Sequence, residues 1–154
     1  MFYTQYRSPV GLLTLVSDGT ALTGLRFGPC SEPAARLPLF EDAVAWLDVY
    51  FSGRDPGPVP PLLPAGTAFQ QRVWRELRAI PFGGTASYGA VARAVGCGSA
   101  RAVGRAVHNN PVALMIPCHR VVGADGSLTG FAAGLDVKRR LLVLEGSLGE
   151  GGRA

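Results

Sequence analysis

Soft metal ligands are scarce in this chain. Its 154 residues include three cysteines, Cys30, Cys97 and Cys118, and two histidines, His108 and His119. Two histidines and no Cys-x-x-Cys pair argue against a structural zinc site. An odd cysteine count without framework spacing argues against a disulfide scaffold. Long apolar runs are missing too, so no segment reads as a membrane span. The opening residues MFYTQYRSPVG lack the apolar centre of a signal peptide. The expected setting is therefore a reducing cytoplasm, where a free thiol persists. Charge is also sparse, at 17% of residues against 47% hydrophobic. That balance builds a core and does not describe a disordered chain. There are no internal repeats, and the length fits one or two small domains.

The basic charge is confined to one half. Residues 1–66 carry four Lys/Arg against six Asp/Glu, a net −2, and residues 67–154 carry eleven against five, a net +6. A sequence pI near 9.3 permits a nucleic-acid partner without establishing one. Strand-forming residues at 1–7, 12–16 and 21–27, separated by turn signals at Ser8-Pro9-Val10-Gly11 and Ser17-Asp18-Gly19-Thr20, predict a β-meander. Phe40, Val44, Leu47 and Phe51 recur at helical spacing and predict one helix, stopped at Gly53. Residues 53–66 hold five prolines, which deny a helix or central strand a passage through them. The chain is therefore expected to divide there, into domains 1–60 and 61–154.

In the second half, Thr67 and Gln70 form a capping-box pattern ahead of an apolar stripe, Phe69, Val73, Leu77 and Ile80, broadened by Trp74. Ser87 can cap a second helix carrying Tyr88, Val91, Ala92 and Val95. Gly96-Cys97-Gly98 breaks it, and residues 99–109 form a third. Two short helices joined by a glycine turn make a helix-turn-helix pattern, with Cys97 incidental in the turn. The third helix spaces Arg101 and Arg105 among small residues and contains Gly104. A glycine inside a helix costs about 1 kcal/mol relative to alanine. Gly104 thus needs a reason, either packing against a neighbouring helix or close approach to another surface. A last helix is expected over 136–144, with Val137, Leu141 and Leu144 inward and Lys138, Arg139 and Arg140 at or near the surface. Gly123 to Ser127 is expected to turn between strands, and the glycine-rich tail after Glu150 to fray.

Between the third and last helices lies Asn109-Asn110-Pro111-Val112-Ala113-Leu114-Met115-Ile116-Pro117-Cys118-His119-Arg120-Val121. The run Pro111 to Ile116 reads as a buried strand or loop, and it delivers a cysteine, a histidine and an arginine. Cations beside a thiol favour the ionised sulfur. The ordinary alternative is an inert buried cysteine beside a surface His119–Arg120 pair, and these residues alone do not decide between the two.

Taken together, the motifs resemble the O6-alkylguanine-DNA alkyltransferase family (methylated-DNA–protein-cysteine methyltransferase) across residues 67–146. The resemblance is carried by Gly66-Thr67-Ala68-Phe69-Gln70, Val73-Trp74, Ile80-Pro81, Ser87-Tyr88-Gly89, Arg101-Ala102-Val103-Gly104, Asn110-Pro111, Ile116-Pro117-Cys118-His119-Arg120-Val121 and Glu145-Gly146. It implies an α+β fold: an N-terminal meander plus helix of ribonuclease-H-like outline, a linker, and a mostly helical domain with a helix-turn-helix. It also implies a single-turnover transfer of an alkyl group, a methyl group above all, from O6 of guanine to Cys118, and leaves open whether O4-alkylthymine is a substrate too. A water, His119 and Glu145 would activate the thiol, since neighbouring side chains on an extended backbone point opposite ways. Asn110 is similar to the family asparagine that braces the loop. Tyr88 would help rotate the nucleotide out of the duplex and donate to the guanine, and Arg101 would fill the vacated stack.

Ser99, Ala102, Gly104 and Arg105 would accompany Arg101 and Tyr88 on the DNA, in the minor groove, where bulk is excluded. The implied pocket is Tyr88, Met115, Pro117, Val121, Phe131, Ala132 and Ala133, with the carbonyls of Cys118 and Val121 and the amide of Ala132 touching the base. Phe131 stands where the family commonly has tyrosine, and Ala132-Ala133-Gly134 replaces a more glycine-rich loop, so Ala133 would narrow the pocket for bulky alkyl groups. The resemblance implies no cofactor, no metal and no membrane partner, and a monomer acting on double-stranded DNA containing an alkylated guanine. It shows no N-terminal metal-binding regulatory module. The rival readings are a non-catalytic alkyltransferase-like lesion binder, which would lack the cysteine, and a helix-turn-helix regulator, which would not need Cys118, His119 and Glu145. A cysteine hydrolase has no marked oxyanion hole.

Overall fold

The meander forms as three antiparallel strands, β1 (Phe2–Ser8), β2 (Gly11–Ser17) and β3 (Leu22–Phe27), in the order β1-β2-β3. The computed structural model describes residues 1–149; the tail after Glu150 lies outside the described residues. Ser8 pairs with Gly11 across a two-residue Pro9-Val10 turn. Helix α1 (Pro38–Phe51) follows, opened by a proline in its first turn, where a missing amide hydrogen costs nothing. Its inward face is Phe40, Ala43, Trp46, Leu47 and Tyr50, not the expected Phe40-Val44-Leu47-Phe51 line. Trp46 and Tyr50 stack in parallel at 5.5 Å between ring centres, and these large rings take the buried side. The Tyr6 hydroxyl donates to Asp48 Oδ1 at 2.6 Å, tying β1 to α1.

Contacts divide the described chain into two compact units, 1–65 with 111–115, and 66–110 with the residues from 116 onward. The first unit therefore takes more of the proline-rich stretch than 53–60, and it also takes a short excursion from the second half. Both additions lie along β3. Leu22 N donates to Pro61 O and Leu63 N to Leu22 O, each at 2.8 Å; Leu25 N donates to Pro111 O at 2.9 Å and Ala113 N to Leu25 O at 3.0 Å. Pairing of this kind covers a strand edge that would otherwise present open backbone groups. Within the excursion, Leu114 adopts φ 70°, a left-handed conformation costing about 1–2 kcal/mol outside glycine. Its side chain is 1% exposed, and full burial of a leucine offsets that cost at about 2–3 kcal/mol.

The second unit begins with α2 (Ala68–Arg78), where the capping box forms in full: Thr67 Oγ1 accepts from Gln70 N and Gln70 Oε1 from Thr67 N. A side chain at Gly66 would collide with the Trp74 ring, so glycine is obligatory there. Short β4 (Ala86–Ser87) leads into α3 (Tyr88–Ala94), and a turn through Gly96, at φ 69°, into α4 (Ala100–His108). Val73, Trp74, Leu77, Val91, Ala92, Val103, Ala106 and Val107 are the buried residues of these helices, and Trp74 Nε1 donates to Ala106 O at 2.8 Å. A 3-10 turn (Cys118–Arg120) and β5 (Val121–Val122) precede α5 (Leu135–Leu144). β5 pairs with β4, in parallel, so the Gly123–Ser127 turn does not join two strands; it leads into the 128–134 loop.

Helix α5 is phased differently from its apolar pattern. Its buried residues are Lys138, Leu141 and Leu142, and Glu145, which caps its C-terminus, is 5% exposed. Positions 138, 141, 142 and 145 make one stripe of a helix. Lys138, expected near the surface, is fully buried. Val137 and Leu144, expected inward, are only half-buried.

Candidate active site and nucleic-acid interface

Pro117 sets the geometry around the cysteine. The chain turns at once: Cys118 N donates to Ile116 O, Arg120 N to Pro117 O and Val121 N to Cys118 O. The backbone at Cys118 and His119 is thus a 3-10 turn and not the extended segment expected. Neighbouring side chains still diverge, by about 120° in a helix of three residues per turn. Cys118 is 8% exposed, His119 0% and Arg120 8%, which removes the reading of a surface His-Arg pair.

Glu145 organises the cations. Its Oε2 meets His119 Nε2 at 2.5 Å and its Oε1 accepts from Arg120 Nε at 2.7 Å. Arg120 also donates to Ile80 O at 2.7 Å and stacks over Phe82. A carboxylate held by Arg120 only accepts, so Nε2 carries the imidazole proton and Nδ1 keeps its lone pair. The Asn110 amide donates to Ile116 O at 2.7 Å, closing the neck of the excursion, and it also hydrogen-bonds the Cys118 sulfur.

Burial dominates the ionisation of both groups. It pushes the Cys118 thiol up, against the Asn110 hydrogen bond, the Lys138 charge and the amides of Cys118 and His119. It pushes His119 down, against Glu145, and the charges of Arg120 and Lys138 push it further the same way. The resting pair is a neutral thiol and a neutral imidazole, so the adjacent cations do not make a standing thiolate. Arg120 is spent on Glu145, and the cation acting on the sulfur is Lys138. Lys138 Nζ donates to Val121 O at 2.6 Å and to Thr129 O at 2.8 Å.

The residues expected to face DNA lie on and beside α4. Ser99 caps it by accepting from Ala102 N at 3.1 Å. Val103, Ala106 and Val107 turn inward, while Arg101, Arg105 and His108 are exposed at i, i+4 and i+7. A groove of roughly 670 Å³ is lined by Tyr88, Ala100, Arg101, Gly104, Arg105, His108 and Asn109. A Cβ at Gly104 would lie 3.9 Å from the Tyr88 ring, an ordinary contact, so helix packing does not require the glycine. Tyr88 opens α3, and its hydroxyl accepts from Thr129 Oγ1 at 3.3 Å.

Of the pocket residues, Val121 is buried beside the turn, and its carbonyl keeps a second lone pair besides the one Lys138 uses. Phe131 and Ala133 are half-buried and Ala132 exposed, in a loop anchored by Leu128 against Val122 and Leu142. Met115 falls in the excursion belonging to the first unit. Three contributors escaped the sequence reading: Arg120 as the second partner of Glu145, Lys138, and His108 in the groove. Placing Glu145 inward, as the role implied by the resemblance requires, would have put 138 on the same helix face, and His108 follows Arg101 by seven residues.

Comparisons with known proteins agree across both units. Residues 68–147 match the model of the 6-O-methylguanine DNA methyltransferase DNA binding domain, and residues 1–57 that of the ribonuclease-like domain of the same family. The chain is 41% identical to a methylated-DNA–protein-cysteine methyltransferase of Methanosarcina acetivorans, covering 96% of this chain and 99% of that one. It is 45% identical to the corresponding protein of Mycobacterium tuberculosis, covering 94% and 92%. A crystal structure of Mycobacterium tuberculosis OGT in complex with DNA superimposes with a TM-score of 0.84 at 44% identity, covering 96% and 94%. An O6-methylguanine DNA methyltransferase from Methanococcus jannaschii gives 0.68 at 26% identity, covering 94% and 93%.

Proposed function

The chain belongs to the 6-O-methylguanine DNA methyltransferase family, and from that premise we propose how its own residues carry out methyl transfer from O6-methylguanine in DNA to a protein cysteine. Cys118 is the acceptor. The observation that carries this reading is the buried Cys118, His119 and Glu145 set, in the same unit as the helix-turn-helix. His119 Nδ1 takes the thiol proton through a water, and Glu145 steadies the imidazolium that results. The thiolate attacks the alkyl carbon. The S–C bond forms, the C–O6 bond breaks, and the electron pair leaves on guanine. The Tyr88 hydroxyl, whose oxygen already accepts from Thr129, keeps its proton and hydrogen-bonds to the departing base, and the proton held by His119 passes to the guanine, which leaves neutral. The thioether product cannot be undone by thiol exchange, so each chain acts once.

A buried thiol reaches O6 only after the base leaves the stack. The groove on α4 supports minor-groove binding of duplex DNA, with Arg101 entering the vacated space and Ser99, Ala102, Gly104 and Arg105 along the backbone. Phe131, Ala132, Ala133, Val121 and Pro117 wall the base, and Ala133 favours small alkyl groups. Three free cysteines suit a monomer in a reducing cytoplasm, and no helix among the described residues is long and apolar enough to cross a membrane. The test compares single-turnover transfer from a duplex with transfer from free O6-methylguanine. Arg101→Ala is expected to slow the duplex reaction about 10- to 100-fold, a loss of about 1.4–2.8 kcal/mol, and to leave the free-base reaction unchanged. Equal losses on both substrates would remove the base-extrusion role.

A further inference from the structure

The loop 128–134 reads Leu-Thr-Gly-Phe-Ala-Ala-Gly, and Thr129 is its one polar side chain. That hydroxyl lies 3.3 Å from the Tyr88 hydroxyl and donates to its oxygen, across forty-one positions of sequence. Both ends of the contact are held. Leu128 is 7% exposed and packs with Val122 and Leu142, and the Thr129 carbonyl accepts from Lys138 Nζ at 2.8 Å. Tyr88 is the first residue of α3, directly behind Ser87, whose hydroxyl oxygen accepts from Ala90 N at 3.0 Å. Threonine is branched at Cβ and stiff about its first torsion, so a fixed backbone fixes the hydroxyl. Thr129 is also exposed. Water would satisfy its hydroxyl there, so burial does not explain the contact.

The chemistry at Tyr88 does explain it. A phenol has one proton to donate and an oxygen that also accepts. Guanine departs with the electron pair of the broken C–O6 bond, and Tyr88 stabilises that charge only while its proton is free to point at the base. A partner that accepted from Tyr88 would hold the proton against the loop. A partner that donates leaves it available and turned away from the loop. With the Tyr88 proton directed at the base, the proton between the two oxygens has to come from Thr129. A hydrogen bond accepted by the phenol also strengthens it as a donor.

We propose that Thr129 is a positioning residue for methyl transfer: its hydroxyl orients the Tyr88 hydroxyl so that the phenolic proton meets the departing guanine. The inference rests on Tyr88 being the donor to that base. Neither Thr129 nor Tyr88 loses a proton in the step. The S–C bond forms as the C–O6 bond breaks, the electron pair goes to guanine, and the proton guanine gains is the one Cys118 gave up to His119. Valine keeps the shape of threonine without the hydroxyl, and serine keeps the hydroxyl without the methyl group, so the two substitutions separate the hydrogen bond from packing.

Single-turnover transfer from a duplex bearing O6-methylguanine, followed against protein concentration, gives a maximal rate and a half-saturating concentration. Thr129→Val is expected to lower the maximal rate about 2- to 10-fold, the size of one neutral hydrogen bond, and to leave half-saturation unchanged. Thr129→Ser is expected to restore the rate. In Tyr88→Phe, which has no hydroxyl to orient, adding Thr129→Val brings no further loss, because both changes remove the same interaction. If Thr129→Val does not fold, Thr129→Ala takes its place in the cycle. An unaltered maximal rate in Thr129→Val overturns the proposal, as does a Thr129→Ser protein no faster than Thr129→Val. An equal loss in the wild type and in Tyr88→Phe overturns it too and leaves Thr129 a tie for the loop. A Tyr88→Phe protein as fast as the wild type removes the donor role of Tyr88 and this proposal with it, whereas a slow Tyr88→Phe beside an unaltered Thr129→Val removes this proposal alone.

Discussion

At the residue scale, the site works by withholding charge. Burial keeps the Cys118 thiol protonated and His119 deprotonated, so a reactive pair exists only once a proton moves. His119 must be neutral to accept that proton. Its folded value lies below the ordinary one, so transfer should stay constant from neutral pH down through about 6.5 and fall only below it. The same shift has a stability sign. The contribution of neutral His119 is fully present above about pH 6.5 and is lost as pH falls below it, because the unfolded chain takes up the proton first. Arg120 shares Glu145 and pushes His119 down. Arg120→Met should therefore move the acid limb of the single-turnover rate upward by about one pH unit. A rate that falls without any move of that limb would mean that Arg120 only holds Glu145 in place.

At the element scale, the helices show where reading from sequence holds and where it stops. The capping box at Thr67, the cap at Ser99 and the glycine turn at Gly96 are local chemistry, and the caps and the turn form where the residues place them. Helix faces are set by what lies opposite. In α1 the Trp46–Tyr50 stack takes the inward side. In α5 the inward stripe carries Lys138 and Glu145, which an apolar rule sends outward. Consistency between pattern and burial breaks at functional sites, and the misphased helix was a sign of one. Gly104 belongs to the same class. Space beside Tyr88 admits a methyl group, so Gly104→Ala should stabilise α4 by about 1 kcal/mol while weakening binding to duplex DNA. The checks are a denaturant melt and a DNA titration. A gain in stability with unchanged DNA affinity would return the glycine to a purely structural account.

At the scale of the whole molecule, the family was legible in the motifs, but the excursion was not. An apolar run can be read as buried without saying against what. Residues 111–115 belong to the first unit through Leu25, a partner more than eighty residues earlier in the chain, and no local pattern points to it. Ala113→Pro removes the amide that Leu25 O accepts. It should cost about 1–3 kcal/mol of stability, read from a denaturant melt, whereas a substitution leaving stability unchanged would show the bridge to be dispensable.

The central claim is that Cys118 takes the alkyl group, once. Incubation with duplex DNA containing O6-methylguanine, followed by peptide mass spectrometry, tests it directly. The account predicts one methyl group per chain on the peptide bearing Cys118 and none in Cys118→Ala. Tight binding of the lesion with no change in mass, or a methyl group on the Cys30 or Cys97 peptide instead, would contradict it.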